Sequence, residues 1–171
     1  MKKIRLVFMM LVIAGGMMPE TVSAQSPPAE ATGKIGAASI TIAYSSPSVK
    51  GRKIFGDLVP YGKAWRAGAN KATTFTTDKD ITVEGKSLKA GKYSLFAVPG
   101  EKEWEIIFNS EIPAWGIKHS GEANFDPAKN ALTVKVKPGK SASMVESLKY
   151  VISDKGFSLD WDNTSVPVAV K

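Results

Sequence analysis

Four residues within ten positions carry the side chains best suited to holding a ligand: Tyr61, Trp65, Arg66 and Asn70. Tyr61 and Trp65 offer flat faces that stack on sugar rings or aromatic groups. Arg66 offers a planar fork that matches a carboxylate or a phosphate with two parallel hydrogen bonds. Asn70 supplies both a donor and an acceptor. They fall in a stretch, residues 45–70, where turn formers, aromatics and bases crowd together without a strand or helix period. Long irregular connections in compact domains tend to carry function. The spacing therefore predicts a binding patch for a glycan or an anionic small molecule, with the four side chains converging at a concave end and the Trp65 ring accessible. The plainer alternative makes Trp65 a core anchor and pairs Arg66 with Asp57 or Asp78. On that alternative, Gly62, Gly68 and Asn70 serve backbone turns of positive φ.

Other chemistries find fewer residues. His119 is the only histidine, in the irregular stretch Trp115-Gly116-Ile117-Lys118-His119, and no nucleophile motif accompanies it. It is expected on an exposed loop. There are no cysteines, which removes disulfides and the thiolate ligands of structural zinc sites. Asp160 with Asp162, and Asp78 with Asp80, have the i, i+2 spacing of neighbouring carboxylates but not the calcium-loop pattern. Asp57, Glu105, Asp160 and Asp162 supply carboxylates for glycoside hydrolysis, with nothing in the sequence to set two at a working separation. No Gly-rich phosphate loop is present. The expectation is a chain without a catalytic residue, metal or cofactor.

The elements that must position the patch read as strands. Ile40, Ile42 and Tyr44 alternate with polar residues, and Ser45-Ser46-Pro47 ends that strand. Further short runs follow at Thr73–Thr77, Asp80–Val83, Tyr93–Val98 and Trp104–Phe108, the last two joined by the Pro99–Glu103 loop as a hairpin. Leu132–Val136 alternates cleanly. In Met144–Ser153 the period-two set Leu148, Tyr150, Ile152 favours strand over helix. Phe157, Leu159 and Trp161 alternate, Asp162-Asn163 turns the chain, and Val166, Val168 and Val170 follow, with Pro167 marking an edge. Eight to ten such strands pack as an antiparallel all-β sandwich, of which a jelly roll is one form. A turn or two near Gly62–Ala67 is the one helical candidate.

The first 24 residues set the expected compartment. Lys2, Lys3 and Arg5 precede an apolar run from Leu6 to Met18, and Val22 and Ala24 provide the small residues of a peptidase site. This is the layout of a cleaved secretory signal. Residues 25–36 (QSPPAEATGKIG) read as a flexible leader, and 37–171 as a single domain. Removing the signal takes away three of 23 Lys+Arg and one of 16 Asp+Glu, so the formal charge drops from +7 to +5. Those charges are scattered, which argues against nucleic acid as a partner. Without a cysteine, no lipoprotein anchor is expected.

The run YSSPSVKGRKIFGDLVPYGKAWRAGANKATTFTTDKDI, followed by AGKYSLFAVPGEKEWEIIFN, resembles the bacterial family known as domain of unknown function 2911 (DUF2911). The resemblance spans nearly all of residues 25–171, with VPYGKAWRAGAN as its most distinctive core. It implies an exported protein of Bacteroidetes-type envelopes. It transfers no activity and no catalytic residue, since the family's function is unassigned. The sequence thus points to a periplasmic or secreted, noncatalytic ligand-binding or envelope-associated module. A hydrolase of an envelope substrate, needing His119 or a carboxylate pair near Arg66 or Tyr61, is the first alternative. A structural or assembly protein with an exposed strand edge near Val166–Val170 is the second.

Overall fold

The computed structural model describes residues 25–171, and the secretory signal expected at residues 1–24 lies outside the described residues. The fold is all-β. Among the described residues ten strands run β1 Pro28–Ile35, β2 Ala38–Ser45, β3 Thr73–Thr77, β4 Ile81–Val83, β5 Lys86–Leu88, β6 Gly91–Val98, β7 Trp104–Asn109, β8 Asn130–Val136, β9 Gly139–Ser153 and β10 Gly156–Ala169. Six of them form one antiparallel sheet in the order β1-β2-β3-β6-β7-β8. Against it lie the β9–β10 pair and the small β4–β5 hairpin.

The alternation read in the sequence is the alternation that is buried. Ile40 and Ile42 of β2, Phe75 of β3, Leu95 of β6 and Phe108 of β7 point inward at 2% exposure or less, and Leu148, Leu159 and Trp161 meet them from the other layer. Phe75 packs edge-on to Phe108 at 5.1 Å and tilts against Phe157 at 5.6 Å, which joins the two layers through aromatic contact. With no covalent staple, this dry interior supplies the cohesion.

The segment read as a flexible leader is corrected. Residues 28–35 pair with β2 in unbroken register, from Pro28 opposite Ser45 to Ile35 opposite Ala38. The inward positions are Ala29, Ala31, Gly33 and Ile35, a period of two written in residues too small to register as apolar. At Gly33 the smallness has a cause: a Cβ there would come within 2.7 Å of Ile152 Cγ2 on β9.

The helical turn expected near Gly62–Ala67 is also absent. Gly62 N donates to Pro99 O at 2.8 Å, and Trp65 exchanges both backbone bonds with Ala97. The backbone groups a helix would use are taken by the free end of β6. The one helical turn among the described residues is a 3₁₀ turn at Pro127–Lys129, capped by the Asp126 carboxylate.

At the C-terminal end the chain doubles back near Asp162, whose φ is +54°. Val170 N donates to Lys155 O at 3.0 Å, and Ser165 Oγ donates to Asp160 Oδ1 at 2.6 Å. Val166, Val168 and Val170 are therefore core residues, at 2% exposure or less. The strand end beyond Pro167 is not free: Val83 of β4 bridges Val170, and Thr82 and Lys171 exchange backbone bonds.

Candidate functional site

The irregular stretch wraps one end of the sandwich, and its geometry follows from two anchor points. Residues 62–65 pair with β6 in line with β3, because Ala97 already faces Ile106 of β7 on its other side. Residues 66–72 must then loop outward before Thr73 rejoins β6 opposite Leu95. The loop is tightly held. Ala67 O accepts from the Tyr150 hydroxyl at 2.8 Å and from Thr73 Oγ1 at 3.1 Å, and Ala69 N donates to Ser45 O. Ala67 and Asn70 both adopt positive φ, at +51° and +56°, a conformation that costs an L residue energy and persists when its surroundings enforce it.

Beneath this loop lies a cavity of about 920 Å³. Its apolar wall includes Val59, Ala64, Trp65, Ile117, Phe125 and Trp161. Trp65 and Trp161 stack with ring centroids 5.8 Å apart and planes 18° apart, and Phe55 abuts both edge-on. The charged lining is one-sided. Arg52, Lys63 and Arg66 face a single acid, Glu122. Arg52 is spent on the backbone, donating to Val49 O and Ser48 O. Arg66 is not: among the described residues it has neither an ion pair nor a hydrogen bond, and its Nε is buried without a partner. Burial lowers its pKa from the usual value, the sign of a cation held out of water without compensation. The second buried donor without a partner is Trp161 Nε1, on the same cavity wall. Buried donors are nearly always satisfied, so two unpartnered ones on residues lining the same cavity stand out.

The four sequence-selected residues are only partly brought together. Trp65 and Arg66 line the cavity, as does Asn70. Trp65 is half-buried, and its indole N–H is already used on Gly68 O at 3.0 Å. Asn70 has a structural task as well, since its Nδ2 donates to Ser26 O at 3.0 Å. Tyr61 stands outside the cavity wall, exposed and set against Gly56. The pairing of Arg66 with Asp57 or Asp78 does not form. Asp78 instead accepts from Ser39 N, a bond that holds its carboxyl below the usual range. His119 lies in the exposed 118–121 turn and not in the cavity wall. Among the described residues, no three His, Cys, Asp or Glu side chains converge as metal ligands.

Sequence reasoning missed Trp161 and the Gly116 backbone. Trp161 sits at an ordinary inward strand position, so nothing but the fold brings its side chain to the cavity lining. Gly116 N donates to Asn70 O, closing the 115–124 loop over Arg66.

The family model described as "Protein of unknown function (DUF2911)" matches residues 26–170. The chain belongs to this family. The match takes in every strand of the DUF2911 domain and the whole cavity wall apart from Gln25. No curated protein and no solved structure matches the chain. No helix among the described residues is long and apolar enough to cross a membrane.

Proposed function

We propose that this DUF2911 protein is a noncatalytic binding module whose ligand is a small anion with an apolar or sugar-like body, held between Arg66 and the Trp65–Trp161 stack. The observation that carries the reading is the pair of orphaned buried donors, Arg66 Nε and Trp161 Nε1, in the wall of one cavity. An acceptor group reaching both would relieve two desolvation penalties, each of about 1–3 kcal/mol. A carboxylate suits the planar Arg66 fork, and the apolar wall suits the rest of a ring-shaped ligand. An acidic sugar of the cell envelope combines the two features. The excess of cations over acids in the lining favours an anion over a neutral glycan.

The same reading places the protein in the periplasm or outside the cell. It rests on the basic, apolar and small-residue order of residues 1–24, with cleavage after Ala24. Mass analysis of the N-terminal peptide of the protein recovered from its own host tests this: a peptide starting at Gln25, as glutamine or pyroglutamate, is expected, and an intact Met1 would refute export by this route.

A thermal-shift comparison tests the binding claim. Glucuronate is expected to raise the melting temperature at concentrations where glucose does not, since binding to the folded state stabilises by mass action. Equal shifts, or none with any acidic sugar, would refute it.

A further inference from the structure

Gln25 lies in the wall of the same cavity as Arg66, and backbone carbonyl bonds tie down the two residues that follow it. Asn70 Nδ2 donates to Ser26 O at 3.0 Å, and Ser46 N donates to Pro27 O at 2.8 Å. The chain segment entering β1 is thus pinned to the site loop on one side and to the end of β2 on the other. The residue before Ser26 has little freedom to leave the cavity mouth. In the precursor, Gln25 N is an ordinary amide. Cleavage after Ala24 would turn it into a free α-amine, which is about nine-tenths protonated near pH 7 because such groups titrate at about 7.7–8.0.

We infer that signal removal completes the binding site by placing the new α-ammonium of Gln25 at the mouth of the Arg66 cavity, where it adds a titratable cation for the anionic ligand. The inference rests on the proposed cleavage and on the proposed anion cavity. Its charged neighbours in the wall are Arg52, Lys63, Arg66 and Glu122. An α-amine ordinarily changes charge between about pH 7 and 9. Because an anion favours the protonated form, affinity is strongest below pH 7 and falls as the amine loses its proton.

The residue type adds a built-in way to remove that charge. An N-terminal glutamine cyclises when its α-amino nitrogen attacks the side-chain amide carbon, forming the ring N–C bond while the amide C–N bond breaks and ammonia leaves. The product, pyroglutamate, keeps the length of the chain and carries no charge. Gln25 is exposed, with its side chain free of hydrogen bonds among the described residues, so the reaction is open to it.

The test uses residues 25–171 released with a free Gln25, one half kept as the amine and the other converted by glutaminyl cyclase, with conversion checked by mass. The probe is 8-anilinonaphthalene-1-sulfonate, an aromatic anion, titrated by fluorescence. The amine form is expected to bind about three- to tenfold more tightly at pH 7, the effect of one partly screened charge at close range. The difference is expected to vanish by about pH 9.5. Equal affinity of the two forms at pH 7 would overturn the inference. Arg66→Met separates the two claims. Loss of probe binding in both forms supports the cavity, whereas unchanged binding in both would remove the cavity reading itself.

Discussion

Gly116 lies so close to Arg66 that a Cβ built on it would overlap Arg66 Cδ and fall 2.9 Å from Arg66 Cβ. The backbone of the 115–124 loop thus forms a lid on the arginine stem and aims it along the cavity. Gly116→Ala cannot be absorbed by a small side-chain shift, because Ala72 N is also only 3.2 Å away. The substitution is expected to cost about 1–3 kcal/mol of stability. It should also weaken anion binding by displacing Arg66. Denaturant unfolding and a glucuronate titration check the two parts. A variant with native stability and native affinity would contradict the packing.

Tyr150 predicts the behaviour at high pH. Its hydroxyl is buried and donates to Ala67 O, and burial raises its pKa well above the ordinary 10.0. The folded state therefore holds the neutral phenol while the unfolded chain can ionise. The stabilisation is fully present below about pH 10 and declines as pH rises toward the folded-state pKa. Tyr150→Phe should cost about 0.5–1.5 kcal/mol at neutral pH, since Ala67 O keeps its bond from Thr73. It should also flatten the alkaline limb of stability. Urea unfolding of both proteins between pH 7 and 11 measures this, and an unchanged alkaline limb would contradict it.

At low pH the sign reverses. Asp80 is held below the usual carboxylate range, first by the Lys89 ammonium and then by Ala90 N, and Asp78 is held there by Ser39 N. Both lie at the surface, so their contribution is small and screened by salt. The stability they add is present above about pH 4 and is lost as pH falls through their folded-state values. Asp80→Asn should reduce the slope of acid unfolding at low salt, and the difference should shrink at high salt. A salt-independent effect would contradict the assignment.

The Trp65–Trp161 stack has a spectroscopic signature. Two indoles 5.8 Å apart and nearly parallel couple their excited states. Trp161→Phe and Trp65→Phe should each abolish the resulting exciton couplet in circular dichroism, and Trp115→Phe, at an exposed site, should leave it intact. Trp161→Phe also removes an orphaned donor, which offsets part of the lost packing. A couplet surviving both core substitutions would contradict the stacking.

Much of the sandwich was legible because its strands obey a strict period of two with large inward residues, as in Phe157, Leu159 and Trp161. β1 was not, since Ala29, Ala31 and Gly33 carry the same period without apolar bulk; at Gly33 the close approach of Ile152 leaves no room for a side chain. The turn at Gly62–Ala67 was misread because local composition cannot reveal that β6 has an open edge waiting for Trp65. At the site, Arg66 and Trp65 were legible by chemical type. Tyr61 was chosen on the same grounds and lies outside the cavity. Trp161 and Gln25 enter it only through tertiary placement, one from a distant strand and one from the chain entering β1.

The central claim is that Arg66 and Trp161 together receive an anion. The most direct measurement is the pair of side-chain N–H resonances, Arg66 Nε–H and Trp161 Nε1–H, followed by nuclear magnetic resonance during a glucuronate titration. The account predicts that both signals move together along one saturable curve while the Trp115 indole signal stays in place. Motion confined to surface lysines, or no saturable change at either nitrogen, would contradict it.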